Sequence, residues 1–275
     1  MLTILKRLRT AALGGAVLAA AMAAPNASAL AQFTVNPNSN GLSSSGTIFT
    51  ADTLSGTSSA RISKTAGPGN NYTGVGYIVF TAFNLNSNPI DGGDSQINLK
   101  NSGYGLFARF TQTFVCSSPL GVGVSCGVQS ITLELVGDPG NLNGKSLATL
   151  GADPTVTDLG TPDVVLAKVT QVIQGVAGLD ALGGAFQNIN SNFELTPEGK
   201  DFFISPVPFY QLAFSAFNNT SQGLACDTVN CVDPNFVSIN SEAGVTDFLA
   251  VPEPGSLVLM GVAMLGLVAV NRKRA

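Results

Sequence analysis

Apolar and polar residues alternate along much of this chain, and the longest alternating stretch covers residues 104–115. One side of this stretch carries Leu106, Ala108, Phe110 and Phe114, and the other side carries Arg109, Thr111 and Thr113. Successive side chains of a β-strand point to opposite faces, so this pattern predicts a half-buried strand. Residues 130–135 repeat the alternation. Residues 76–85 also repeat it, with a predicted inward face made of Tyr77, Val79, Phe83 and Leu85.

Shorter strand patterns fill the rest of the region, at residues 32–35, 46–52, 60–63, 189–195, 209–217 and 245–251. The residue pattern at 163–176 fits either a helix or a strand. A helix would begin after Thr161 and Pro162 and place five valines and isoleucines on one face, but the density of β-branched residues favours a strand, which we predict. Thr196 and the proline after it predict a single helical turn.

These patterns predict an all-β body for residues 30–250. Clusters of glycine, proline and asparagine separate the strands, and helices between consecutive strands are missing. The predicted fold is an antiparallel β-sandwich of jelly-roll or Ig-like type.

The first 29 residues have the layout of a secretory signal peptide. Three basic residues precede an apolar stretch at residues 11–22, which predicts a signal helix. Ala27 and Ala29 provide the small residues of a cleavage site. The alternative is an uncleaved N-terminal anchor.

Residues 251–275 form a second segment with its own layout. Pro252, Glu253 and Pro254 come first, an uncharged apolar run at residues 257–270 follows, and Arg272, Lys273 and Arg274 end it. The apolar run predicts a transmembrane helix. The three cations predict a basic stop that resists translocation and keeps the C-terminus in the cytoplasm. A helix that spans the membrane needs about 20 residues, so this shorter run indicates transient rather than permanent anchoring in the membrane. A buried core helix is the alternative.

The charge of the body limits its partners. Between residues 32 and 251, seven basic residues stand against sixteen acidic residues, which gives a net charge of −9. An acidic surface disfavours nucleic acid and anionic membrane surfaces. The chain contains no histidine, so Ser-His-Asp, Cys-His and histidine-bound zinc chemistry are excluded. We therefore expect no enzymatic activity, no catalytic residues, no metal and no cofactor.

Four cysteines occur as two local pairs, Cys116 with Cys126 and Cys226 with Cys231. Disulfides are expected in an exported protein, and the spacing favours the local pairings among three connectivities. A four-thiolate metal site is the alternative, although the spacings do not resemble those of zinc knuckles.

Three other groups of residues could carry chemistry. Asp91 with Asp94, and Asp153 with Asp158 and Asp163, are acidic clusters that could hold Ca²⁺, but we expect solvated turns. Glu134 and Glu194 are an example of a carboxylate pair for glycoside hydrolysis, and nothing in their spacing selects them. Six aromatic residues between 202 and 217 could stack on sugars, but we expect core.

The C-terminal segment resembles the PEP-CTERM sorting signal of bacterial exosortase substrates. The matching residues are Pro252-Glu253-Pro254, the apolar run and Arg272-Lys273-Arg274. The resemblance implies an exported protein that is held transiently in the inner membrane, processed by an exosortase and then placed at the cell surface or outside the cell. Such proteins usually accompany exopolysaccharide and biofilm or floc formation.

Scattered blocks of the body look like the flocculation-associated branch of PEP-CTERM proteins, at residues 33–35, 48–52, 103–108, 193–199, 202–210 and 213–219. This resemblance implies a role in flocculation, biofilm or exopolysaccharide association. The alternatives are a secreted carbohydrate-binding module or an extracellular glycoside hydrolase.

Overall fold

The computed structural model of this chain describes residues 30–219 and 223–249. It is 56% strand and 7% helix, so the predicted all-β class is confirmed. The strands of the first half are β1 (Phe33–Val35), β2 (Phe49–Ala51), β3 (Thr53–Lys64), β4 (Asn71–Leu85), β5 (Asn88–Pro89), β6 (Tyr104–Cys116), β7 (Ser125–Pro139), β8 (Gly144–Ser146) and β9 (Thr155–Thr157). Those of the second half are β10 (Val164–Val169), β11 (Val172–Leu179), β12 (Ala185–Asn192), β13 (Glu194–Leu195), β14 (Phe203–Ser205), β15 (Leu212–Asn218), β16 (Leu224–Cys226) and β17 (Phe236–Leu249). Helices α1 (Gly92–Ser95) and α2 (Pro197–Phe202) and two 3₁₀ turns (Ser39–Gly41 and Val229–Cys231) complete the elements.

Eight strands close into a barrel in the order β11-β12-β15-β17-β3-β4-β6-β7, and β7 pairs back to β11. Each of these pairings is antiparallel. The predicted sandwich is therefore wrong in its architecture. The first half of β7 closes the barrel, where Gly127 lies opposite Val176, while its second half turns away to pair with β10. Closure leaves these strands no free edge.

The interior of the barrel follows the alternation seen in the sequence. In β6 and β7 the predicted apolar side chains point inward, and Arg109, Thr111 and Thr113 are more exposed. The predicted inward face of β4 is only partly correct. The register of β3 and β4 shifts between Ser55 and Gly56, so residue 81 is an extra residue in β4. Ile78 and Phe80 point inward before this bulge and Phe83 after it, because a bulge reverses the alternation.

Residues 163–176 form strands, as predicted, and not a helix. They make up β10 and the first part of β11. These two strands pair with different halves of β7, so the break between them is where the sheet divides.

Aromatic rings close one end of the barrel, which we call the aromatic end. Phe248, near the end of β17, is completely surrounded, with ring centroids 4.8 Å from Phe193 and 5.0 Å from Phe33 and from Phe209. The small sheet β14-β1-β2 and helix α2 supply four of the other rings, Phe33, Phe49, Phe202 and Phe203. Thr196 caps α2 by accepting the N–H of Gly199 at 2.9 Å, so the predicted helical turn is confirmed.

Two disulfides lie at the other end of the barrel, which we call the disulfide end. Cys116–Cys126 joins β6 to β7, and Cys226–Cys231 joins β16 to the second 3₁₀ turn. The predicted local pairings are confirmed. All four cysteines are used, so a four-thiolate metal site is excluded.

The two predicted membrane-directed segments fall outside the described residues. These are the signal helix within residues 1–29 and the apolar run at residues 257–270. Within residues 30–219 and 223–249, no helix has the length and apolar character needed to cross a membrane.

Candidate interaction surface and sorting signal

Three loops form the surface of the disulfide end. Residues 117–124 join β6 to β7, residues 180–184 join β11 to β12, and residues 227–235 precede β17. The Gly123 N–H donates to the Leu179 carbonyl at 3.0 Å, which ties the first loop to β11. Gly121 lies so close to the third loop that a Cβ there would sit 2.9 Å from the Cys231 carbonyl oxygen. The three loops therefore form one continuous surface.

Large apolar side chains project from these loops into solvent. Leu182 is 84% exposed, Val229 83% and Val232 67%. Val122 is partly exposed and, with Leu182 and Val232, lines a shallow groove of about 590 Å³. Single exposed apolar residues are ordinary on protein surfaces, whereas large contiguous apolar patches mark interaction sites. We call these four residues the apolar patch.

The carboxylates of the disulfide end hold the loops in shape. Asp180 accepts the backbone N–H groups of Leu182 and Gly184, both at 2.8 Å. Asp227 accepts the N–H of Asn235 at 3.0 Å. Asp233 accepts from the Lys64 ammonium at 2.8 Å, and this hydrogen bond raises the pKa of Lys64. These contacts fix the backbone of two of the loops and tie the third loop to β3.

Strand β17 connects the disulfide end to the C-terminal segment. Phe236 pairs with Ser63 at the disulfide end, and Leu249 pairs with Leu212 at the aromatic end. Its 14 residues rise along a tilted strand, which separates the two ends by roughly 30 Å along the barrel axis. Residues 250–275 therefore follow from the end opposite the apolar patch.

A groove of about 780 Å³ lies at the aromatic end, and we call it the aromatic groove. Half-buried Phe209 and Tyr210 line it, together with the polar side chains of Asn192, Glu194, Lys200 and Gln211. The Tyr210 hydroxyl donates to the Gln32 carbonyl at 2.8 Å, which fixes that ring. The predicted aromatic block thus divides: Phe202, Phe203 and Phe217 are core, and Phe209 and Tyr210 reach the surface.

The first acidic cluster has structural contacts. Asp91 caps α1 by accepting the Gly93 N–H at 2.7 Å, and Asp94 accepts the Thr47 hydroxyl at 2.7 Å. Across residues 30–219 and 223–249, no group of three or more cysteine, aspartate or glutamate side chains is placed to hold a metal ion.

The second acidic cluster is divided among different partners. Asp153 pairs with Arg61 at 3.1 Å. Asp163 accepts the Asn143 side-chain amide at 2.8 Å, and burial raises the pKa of Asp163. These contacts explain two of the three carboxylates as parts of the fold.

Glu134 and Glu194 lie on either side of Lys168, which is paired with both in the strand register. Glu134 contacts the Arg109 guanidinium at 2.9 Å and the Lys168 ammonium at 3.4 Å. The two carboxylates line different grooves, and a cation stands between them. This arrangement differs from the pair of glycosidase carboxylates that face one bond.

Two features of the structure have no counterpart among the residues selected from the sequence. The apolar patch depends on three loops that are distant in sequence, and its valines look like ordinary strand or turn residues. Glu242 is 4% exposed inside the barrel, whereas the alternation gave no reason to expect an inward carboxylate. The sequence carries no signal for this, because the side chain is turned inward by a bulge at Ser241, whose φ is 59°.

The remaining predicted site residues lie outside the described part of the chain. They are the cleavage residues Ala27 and Ala29, the sorting motif Pro252, Glu253 and Pro254, and the basic stop Arg272, Lys273 and Arg274.

No curated protein and no solved structure matched the chain. Residues 250–274 match the family described as the PEP-CTERM protein-sorting motif. The matched range includes the predicted Pro252, Glu253 and Pro254. The chain therefore carries a PEP-CTERM sorting signal, which implies export, processing by an exosortase, transient membrane anchoring and then the cell surface.

Proposed function

We propose that this protein is a non-enzymatic cohesion protein of the cell surface that acts in flocculation or biofilm formation through contacts between copies. The observation that carries the proposal is the apolar patch on cross-linked loops at the end of the barrel opposite residue 249. While the C-terminal segment is held at a membrane, that geometry directs the patch away from the membrane.

The partner is a second copy of the same chain. Apolar side chains gain free energy when they are removed from water, and a two-fold contact lets one patch cover another. The body carries a net charge of −9, so two copies repel at low ionic strength. Salt screens this repulsion, and we expect contact between copies to strengthen as salt is added.

The test is flocculation of a host that possesses the exosortase machinery. The variant V229D/V232D places two charges in the patch, and L147D places one at an exposed leucine on the side of the barrel. We expect the double variant to reduce floc settling at least fivefold and L147D to leave it near wild type, with equal surface amounts of protein. Equal settling in all three strains would contradict the proposal.

A second candidate is direct binding of exopolysaccharide in the aromatic groove. Aromatic rings beside amide and carboxylate side chains are a combination that suits sugars, and Phe209 and Tyr210 stand beside Asn192 and Gln211 there. This candidate differs from the first in both the end of the barrel and the partner.

Sedimentation with isolated exopolysaccharide tests the second candidate. Y210A removes a ring of the groove, and V229D/V232D serves as the control at the other end. Polysaccharide association through the groove predicts at least tenfold weaker binding for Y210A and no change for the control. Equal binding by both variants would remove the aromatic groove as the site.

A further inference from the structure

Two cavities of about 40 Å³ each lie inside the barrel that residues 30–219 and 223–249 form. Gln187 lines both, so it stands at the boundary between them. The cavity nearer the disulfide end has apolar walls that include Ile62, Phe114 and Val237. It also contains three polar side chains, Gln112, Gln187 and Glu242, and we call it the upper cavity. Its volume holds a few water-sized groups.

A local irregularity in β17 brings Glu242 into this cavity. The register of β17 with β3 shifts between Asn240 and Glu242, and Ser241 between them has a φ of 59°. A bulge of this kind turns the following side chain toward the other face of the strand. The Ser58 hydroxyl donates to Glu242 Oε2 at 2.7 Å. Burial raises the pKa of Glu242 to about 7.

Gln112 adds an unused acceptor to the same cavity. Its amide nitrogen donates to Gln187 Oε1 at 3.2 Å, but its own Oε1 is buried and has no hydrogen-bond partner. A buried polar atom without a partner loses its hydrogen bonds to water and gains none in return, so such an atom requires an explanation. An apolar side chain at this position would avoid the cost.

The charges around the cavity favour a neutral occupant. Glu242 and Tyr72 are the titratable side chains of its lining, and the lining includes no lysine or arginine. The Tyr72 hydroxyl accepts the Leu120 N–H at 2.8 Å, so it takes part in closing the cavity. An anion would enter this space without a counter-charge, and a cation would require Glu242 to be ionised inside the apolar interior, so both carry a desolvation cost that a neutral molecule avoids.

We propose that the upper cavity is a binding site for a small uncharged amphipathic molecule of the short-chain alcohol class. Its hydroxyl hydrogen donates to Gln112 Oε1, its oxygen accepts from the protonated Glu242 carboxyl, and its alkyl part contacts Ile62, Val237 and Ile239. The Cys116–Cys126 disulfide and Leu120 form the wall toward the disulfide end.

Methyl NMR of the exported mature protein, titrated with isobutanol, tests the proposal. We expect saturable shifts of the Ile62, Val237 and Ile239 methyl groups. A177L fills the upper cavity and A213L fills the other cavity, since each alanine lines only one of them. A177L should weaken binding at least tenfold, and A213L should change it less than twofold.

The pH dependence separates this site from simple apolar trapping. Ionised Glu242 cannot donate, so wild-type affinity should fall about tenfold for each pH unit above about 7. E242Q can still donate and should bind isobutanol with no such dependence, which keeps the test valid if A177L fails to fold. Absence of saturable shifts, equal weakening by both leucine variants, or the same pH profile in wild type and E242Q would each overturn the proposal.

Discussion

The aromatic end and the disulfide end of the barrel are closed by different means. At the aromatic end, buried rings from β1, β14 and β17 fill the opening around Phe248. At the disulfide end, loops cover the opening and two disulfides hold them, while large apolar side chains remain in solvent. The cross-links hold these loops in place although apolar residues stay at their surface.

The aromatic end should be the more sensitive to loss of packing. F248A removes the ring at the centre of the cluster and should lower the free energy of unfolding by about 4 kcal/mol. V245A, on the outer face of the same strand, should cost less than about 1 kcal/mol. Urea denaturation measures both, and similar costs for the two variants would show that the rings are not the main closure.

Between the two ends, Glu242 should make stability depend on pH. Its folded pKa of about 7 lies above its ordinary value of 4.5, so the folded state binds the extra proton. The contribution of Glu242 to the free energy of unfolding is therefore fully present below about pH 4.5. It is lost as the pH rises through 7, and the total loss is roughly 3 kcal/mol.

The difference in unfolding free energy between wild type and E242Q isolates this effect from Asp163 and Asp247, whose pKa values burial also raises. The wild type should lose stability relative to E242Q between pH 5 and pH 8. A constant difference across that range would rule out a buried, titrating Glu242.

Each disulfide should contribute according to the length of the loop it closes. Cys116 and Cys126 are 10 residues apart, and Cys226 and Cys231 are 5 apart. The chain-entropy relation gives about 2.7 kcal/mol for C116S/C126S and about 2.1 kcal/mol for C226S/C231S. Thermal unfolding of the two double variants checks the order, which the opposite ranking would refute.

The smallest expected effect is at the cap of α2. T196A removes the acceptor for the Gly199 N–H and should cost about 1 kcal/mol. T196S keeps the hydroxyl and serves as the matched control. Both variants lack the methyl group of Thr196, and only T196A lacks the hydroxyl. Equal losses of stability would therefore show that the methyl group, and not the capping hydrogen bond, stabilises this position.

Local patterns were sufficient for some parts of this molecule and not for others. The faces of β6 follow from strict alternation, and the sorting signal is a linear motif, so both could be predicted. Barrel closure depends on Gly127 meeting Val176, which are far apart in sequence, and no local pattern specifies that pairing. The inward position of Glu242 depends on one extra residue in β17, because a single bulge reverses every side chain that follows.

The candidate sites could likewise be predicted only where their residues are close in sequence. Both disulfides could be predicted because each pair is close in sequence. The apolar patch could not, because Val122, Leu182 and Val232 meet only after the barrel has formed. Exposure of a valine is decided by the loops around it and not by its neighbours in sequence.

Sedimentation velocity of the mature protein over a range of salt concentrations tests the central claim, that the disulfide end makes contacts between copies. We predict reversible self-association that strengthens with added NaCl in the wild type and in L147D, and that is absent in V229D/V232D. Monomers at every salt concentration in the wild type, or equal association by V229D/V232D, would contradict the account.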